Sequence, residues 1–162
     1  MVSVALLDGL PGNFDAFADE CAAGIRDLYG TSAAEAYRRD ARRNMAANLR
    51  HPAVAVLGAF ESRDVVGMLL ITVREPEAVI SFIHVLAPWL GKGVEAQLVA
   101  EAVRTCRAGG LLDIVAEFVP CAPLALDRPF SALGFDIVER QLMWAPLGAM
   151  VGGRHPGCNP MP

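Results

Sequence analysis

Lysine is almost missing from this chain of 162 residues: Lys92 is the only one, and every other basic side chain except histidine is arginine. The 14 Lys and Arg residues face 18 acidic ones, for a formal net charge of −4 and a sequence pI of about 5.3. That balance argues against non-specific nucleic-acid binding. Histidine is limited to His51, His84 and His155, and no pair has metal-ligand spacing, so no zinc site is expected. The four cysteines, Cys21, Cys106, Cys121 and Cys158, lack CxxC spacing. The opening "MVSVALLDGLPG" has too short an apolar stretch and no basic lead-in for a secretory signal, so the cysteines read as free thiols of a cytoplasmic protein. The longest uncharged run, Ala78 to Gly91, contains His84 and Pro88 and falls short of a membrane span. Internal repeats and interdomain linkers are also missing.

What is present is apolar. Hydrophobic residues make up 54% and charged residues 20%, which excludes disorder for most of the chain and fits one domain with a substantial core. The domain is expected over residues 1–147, followed by a loose Gly/Pro-rich tail over 148–162. A mean hydropathy of +0.37 is high for one domain of this size, so a homodimer with a central apolar patch is expected.

The pattern predicts a first strand over Val2–Leu7, stopped by Asp8-Gly9 and Pro11-Gly12. Asn13 is placed to cap a helix reaching about Tyr29, with Phe14, Phe17, Cys21 and Ile25 on one stripe. Ser32 and Glu35 have capping-box spacing for a second helix, whose apolar stripe is Tyr37, Ala41, Met45 and Leu49. The period then changes. Ala53–Glu61, Val65–Arg74 and Ala78–Leu86 are rich in Val, Ile and Leu, and linkers as short as "SRD" and "EPE" join only antiparallel neighbours. A helix over Val94–Arg107 and a buried strand over Leu111–Val119 complete a crossover that sets the third meander strand parallel to the new one. A helix over Leu124–Leu133, a left-handed cap at Gly134 and a last strand over Phe135–Trp144 follow.

Between the meander and the crossover helix lies "PWLGKGVEA", Pro88–Ala96. A glycine turn from strand to helix points backbone N–H groups outward at the positive end of the helix dipole, which suits a phosphate. Many such turns bind nothing. A Walker loop is ruled out because Leu86 and Gly93 occupy its glycine and Ser/Thr positions. Gly91-x-Gly93-x-x-Ala96 with Asp113 about 20 residues on satisfies the dinucleotide pattern, but the turn follows an antiparallel meander and too little chain remains for a doubly wound sheet.

The order of elements resembles that of the GNAT acetyltransferase superfamily, and three stretches carry the resemblance. Asp64-Val65-Val66-Gly67 is similar to the family's usual opening of its third strand. Val85–Glu95, "VLAPWLGKGVE", resembles its acyl-CoA loop, V-x-P-x-x-R-G-x-G-x-G, and Phe130–Phe135, "FSALGF", resembles its Y-x-x-L-G-F. The resemblance covers residues 2 to 147. It implies an α/β fold with a central mixed sheet, an antiparallel meander followed by a parallel strand–helix–strand crossover, flanked by helices. It also implies transfer of an acyl group from acetyl-CoA, or a related acyl-CoA, to a small-molecule or peptide amine by direct attack. In the family, loop amides hold the CoA pyrophosphate and the pantetheine arm pairs like a strand between the diverging parallel strands. Carried over, Val85, Leu86 and Ala87 line the arm, and Leu90, Gly91, Lys92, Gly93, Val94 and Glu95 form the pyrophosphate loop. Lys92 then reads either as a phosphate contact or as a solvated turn lysine.

The departures fall where binding and chemistry belong. Leu90 replaces Arg or Gln, Glu95 replaces Gly or Ala, Pro88 comes one residue late, and Pro123 stands about where an asparagine is often found. The Glu95 carboxylate is expected to repel the pyrophosphate or to point into solvent. Phe130 stands where a tyrosine commonly protonates the departing thiolate, which a phenyl ring cannot do. Amine acylation also needs a proton acceptor. The candidates are Glu117, inside the apolar "IVAEFV", and Glu77, at the hairpin end of the third meander strand. Glu117 reads either as solvated or as a cleft carboxylate with a raised pKa, and Glu77 either as a base or as a solvated turn residue. Strand alternation puts Glu77, Ser81, Ile83 and Val85 on one face and His84, a sheet histidine, on the other. Arg38, Arg39, Arg42, Arg43 and Arg50 on the second helix read either as a lure for an acidic acceptor or as a solvated face. A catalytically inactive member that binds CoA or a protein partner is the alternative function.

Overall fold

The computed structural model describes residues 1–117, 127–139 and 142–146. Its elements are β1 (Ser3–Leu6), α1 (Phe14–Tyr29), α2 (Thr31–Asn48), β2 (Val54–Glu61), β3 (Asp64–Arg74), β4 (Glu77–Val85), α3 (Val94–Ala108), β5 (Asp113–Glu117), α4 (Asp127–Ala132), β6 (Asp136–Glu139) and β7 (Leu142–Pro146). One mixed sheet runs in the order β1-β2-β3-β4-β5-β7-β6. The meander β2-β3-β4 is antiparallel and β4 pairs with β5 in parallel, as the short linkers and the crossover demand.

Each face of the sheet has its own core. Phe14 and Phe17 of α1 and Ala41 and Met45 of α2 pack on Val65, Met68 and Leu70 of β3. On the other face, Val94, Leu98, Val99, Ala102 and Cys106 of α3 pack on Leu69 and Ile71 of β3, Ile80, Ile83 and Val85 of β4 and Ile114 of β5. Gly67 lets α3 sit close: a Cβ there would stand 3.0 Å from side-chain atoms of both Val94 and Leu98.

Several local expectations are revised by tertiary contacts. Asn13 does occupy the N-cap of α1, but its Nδ2 donates to the Val65 carbonyl at 2.7 Å, tying α1 to β3 instead of closing its own first turn. The Ser32–Glu35 capping box does not form, because Gly30 ends α1 and also serves as N-cap of α2. The expected last strand is two strands, since β6 pairs antiparallel with β7. The cap at Gly134 holds: its φ is 84°, and the amides of Gly134 and Phe135 donate back to Ser131 and Phe130. The expected tail over 148–162, Pro123, Cys121, Cys158 and His155 lie outside the described residues.

Strand β4 contains the irregularity that matters for the site. Its register against β3 steps from Ile71↔Ile80 to Leu70↔Phe82, so Ser81 is an extra, bulged residue. Before the bulge, Ala78 and Ile80 face α3; after it, Ile83 and Val85 do. Ser81 turns instead to the α1/α2 face with Phe82, so the alternation expected along the whole strand holds only from Phe82 onward, which no periodicity in the sequence reveals.

Candidate functional site

The bulge coincides with a split in the sheet. β4 and β5 pair from Glu77↔Asp113 to Ile80↔Ala116 and no further among the described residues. From Phe82 to Val85, β4 is paired with β3 on one edge, and among the described residues no strand pairs with its other edge. This stretch leads to the glycine turn. Gly91 and Gly93 have φ of 71° and 81°, left-handed values that side chains disfavour, and a Cβ at either would meet open space. The glycines are thus required by backbone conformation rather than by crowding, and they leave the turn's outer surface bare in front of the α3 N-terminus.

Two carboxylates already sit on this turn. Glu20 of α1 accepts from the Ala87 amide, at 3.0 Å to Oε2, and that same oxygen lies 3.1 Å from Nε2 of the buried His84. His84 is wedged between Phe17, edge-on at 6.0 Å, and Phe82, stacked at 6.4 Å. Glu95 accepts from the Gly91 amide at 3.2 Å and is only 7% exposed. It does not point into solvent, so that expectation for its side chain is corrected: the carboxylate is used as an acceptor inside the turn. Lys92 lies over the Trp89 ring, its Nζ 4.9 Å from the centroid, a cation–π contact at the rim of the turn.

The other predicted loop residues divide between core and surface. Val85 and Val94 are fully buried between α3 and the sheet, and Leu90 packs against the same core, using its apolar side chain where a basic one was expected. Leu86 packs on the α1/α2 side. Ala87, Gly91, Lys92 and Gly93 are exposed. Phe130 is 0% exposed and meets Phe135 edge-on, with centroids 4.9 Å apart, so it is a core residue of α4. Glu117 directly follows Ala116, at the start of the split, and is exposed rather than held in an apolar cleft. Glu77 is at the opposite end of β4, about 26 Å of extended strand from Val85, and the structure does not bring it to the turn.

A cavity of about 270 Å³ opens on the α1/α2 face against the bulge. Ser81, Phe82, Leu70 and Thr72 of the sheet form its floor, and Tyr37, Ala41, Asn44, Met45 and Asn48 of α2, with Phe14, form its wall. Among the described residues, none that lines it is charged. The arginines of α2 are spent elsewhere: Arg38 pairs with Asp19, Arg42 bonds Asp15 through Nε at 2.8 Å and NH2 at 3.0 Å, and Arg39 and Arg43 both approach Asp40. The Arg42 guanidinium holds the Asp15 carboxyl below the usual carboxylate range. These four arginines thus form a solvated, internally paired face.

Sequence reasoning missed Glu20, Ser81 and the Asn44/Asn48 pair. Glu20 follows Phe17 by three residues on α1, and Asn44 and Asn48 are four apart beside Met45; such spacings become meaningful only once the sheet lies against them. Among the described residues no cluster of His, Cys, Asp and Glu is arranged to hold a metal.

Comparison with known proteins agrees with this layout. Residues 22–123 match the sequence profile of the acetyltransferase (GNAT) family. No curated protein sequence matches the chain. The fold is similar to that of a GNAT-family acetyltransferase from Staphylococcus aureus Mu50, with a TM-score of 0.67 and 11% identity over 91% of this chain and 100% of that one. It is also similar to PaiA N-acetyltransferase from Thermoplasma acidophilum, solved with coenzyme A (TM-score 0.65, 13% identity, 88% of this chain and 96% of that one). A third similar structure is a GNAT-family acetyltransferase from Brucella melitensis, solved with acetyl-CoA (TM-score 0.58, 14% identity, 93% of this chain and 91% of that one).

Proposed function

The chain belongs to the GNAT acetyltransferase family, and on that premise we propose that it transfers an acetyl group from acetyl-CoA to an amine by direct attack in a ternary complex. The observation that carries the reading is the split sheet: an edge of β4 from Ser81 to Val85 that no strand among the described residues pairs with leads to a left-handed glycine turn at the N-terminus of α3. An extended pantetheine arm suits the first feature and a pyrophosphate the second. The acceptor amine would enter from the opposite face through the cavity at Ser81, which brings nucleophile and thioester together at the bulge. Glu117, at the start of the split, is the proposed proton acceptor, acting directly or through a water, and the thiolate leaves without help from Phe130. Two buried cysteines, Cys21 and Cys106, support a cytoplasmic setting, and the mean hydropathy of +0.37 supports a homodimer; a monomer by sedimentation at high micromolar concentration would reject the latter.

One observation favours a second reading, an inactive CoA-binding or protein-interaction module: Glu20 and Glu95 already occupy turn amides. The deciding experiment is calorimetric titration with acetyl-CoA and, as a control, NADH, followed by single-turnover acetyl transfer across a broad panel of amines. Binding of acetyl-CoA alone with transfer, slowed ~10²–10⁴-fold by Glu117→Gln, supports the enzyme. Binding without transfer to any amine supports the module.

A further inference from the structure

The acyl-CoA reading leaves one feature of this chain unexplained: a carboxylate inside an anion-binding turn. Glu95 is the second residue of α3, it is 7% exposed, and its Oε1 takes the Gly91 N–H at 3.2 Å. A phosphate oxygen would make the same kind of contact, a negatively charged acceptor on an outward backbone amide at a helix N-terminus.

We propose that Glu95 is a specificity-determining residue of the donor site, a resident anion that acyl-CoA must displace. The nucleotide end of the donor then binds at a penalty, and the acyl-pantetheine end carries most of the recognition. This rests on the acyl-CoA reading of the site. Its support is the charge distribution around the turn. Like charges on one amide repel, so the Glu95 carboxylate and a diphosphate exclude one another. No cation offsets this among the loop's own side chains: position 90 is leucine, and the single lysine is held over Trp89. A second carboxylate, Glu20, stands on the Ala87 amide at the other end of the loop and adds to the negative field. The pantetheine arm lacks phosphate charge and meets the β4 edge, where none of this applies.

The test compares acetyl-CoA with S-acetylpantetheine, which carries the same thioester and arm without phosphates. Calorimetric affinities are measured for the wild type, Glu95→Gln and Glu95→Ala, with thermal unfolding to verify that each variant is folded. Glu95→Gln keeps the shape and the hydrogen-bond acceptor and removes the charge; Glu95→Ala empties the position if the glutamine variant is poorly folded. The expected result is at least a tenfold gain in acetyl-CoA affinity and a change of less than twofold for S-acetylpantetheine. A wild type that binds acetyl-CoA as tightly as the variants overturns the inference and leaves the acyl-CoA reading standing. Equal gains for both ligands also overturn it, because the effect would then be on folding or dynamics of the loop. Failure of every protein to bind either ligand at millimolar concentration overturns both.

Discussion

Gly67 of β3 and Val94 at the start of α3 approach so closely that a Cβ on Gly67 would lie 3.0 Å from Val94 Cγ1. The same Cβ would stand 3.0 Å from Leu98 Cδ1 and 3.2 Å from Val85 Cγ2. The first turn of α3, which carries the glycine turn and Glu95, is therefore seated on the sheet by the absence of one methyl group. Gly67→Ala is expected to overpack this seat and cost about 1–3 kcal/mol. Urea unfolding should show a lower midpoint with an unchanged slope. An unchanged midpoint would mean that the seat is loose.

Glu20 serves two partners, the Ala87 amide and Nε2 of His84, which is 2% exposed. Glu20→Ala leaves the buried imidazole N–H unpaired, a loss of about 1–3 kcal/mol, or roughly 2–12 °C in Tm for a chain of this size. Glu20→Gln retains one carbonyl acceptor and should lose distinctly less. Equal Tm values for the alanine variant and the wild type would show that His84 does not depend on Glu20.

Burial between α3 and the sheet pushes the Cys106 thiol up to about 11, from an ordinary value of 9.0. Below pH 9 the thiol is protonated in both folded and unfolded chains and its contribution is complete. Between pH 9 and 11 the unfolded chain gives up the proton while the folded chain keeps it, so stability falls as pH rises. Removing the thiol with Cys106→Ala should abolish a loss on the order of 2 kcal/mol across that window, read as the difference between the two proteins' unfolding free energies at pH 8 and pH 11. Parallel pH profiles would contradict it. At pH 8 the folded protein should also resist iodoacetamide at this cysteine.

Phe130 lies in a closed apolar cluster, edge-on to Phe135. Phe130→Tyr buries a hydroxyl among apolar neighbours and should cost about 1–3 kcal/mol. The single-turnover rate of acetyl transfer should stay within roughly tenfold of wild type, below the range of a well-placed general acid. A gain of about 100-fold or more would show that the ring faces the leaving thiolate and that the lost hydroxyl is the missing acid.

Legibility followed the range of the interaction. The meander was readable because β2, β3 and β4 are Val/Ile/Leu-rich runs joined by two-residue linkers, and chain geometry permits few alternatives. The crossover helix and the Gly134 cap were readable for the same reason: periodicity and left-handed backbone are local properties. The glycine turn was legible as a motif. What was not legible is which partner each polar group meets. Asn13 bonds a residue 52 positions away, and Glu20 reaches partners 64 and 67 positions away.

By itself, the sequence determined the order of elements, the antiparallel-then-parallel sheet and the position of the turn, because hydrophobic period, linker length and glycine act within a few residues. Only the tertiary structure decided the bulge at Ser81, the cavity above it, the internal pairing of the α2 arginines and the burial of Glu95 on Gly91. Each of these depends on a register or a packing distance between elements far apart in the chain. A one-residue slip in β4 would exchange its two faces and change every side chain that meets the site.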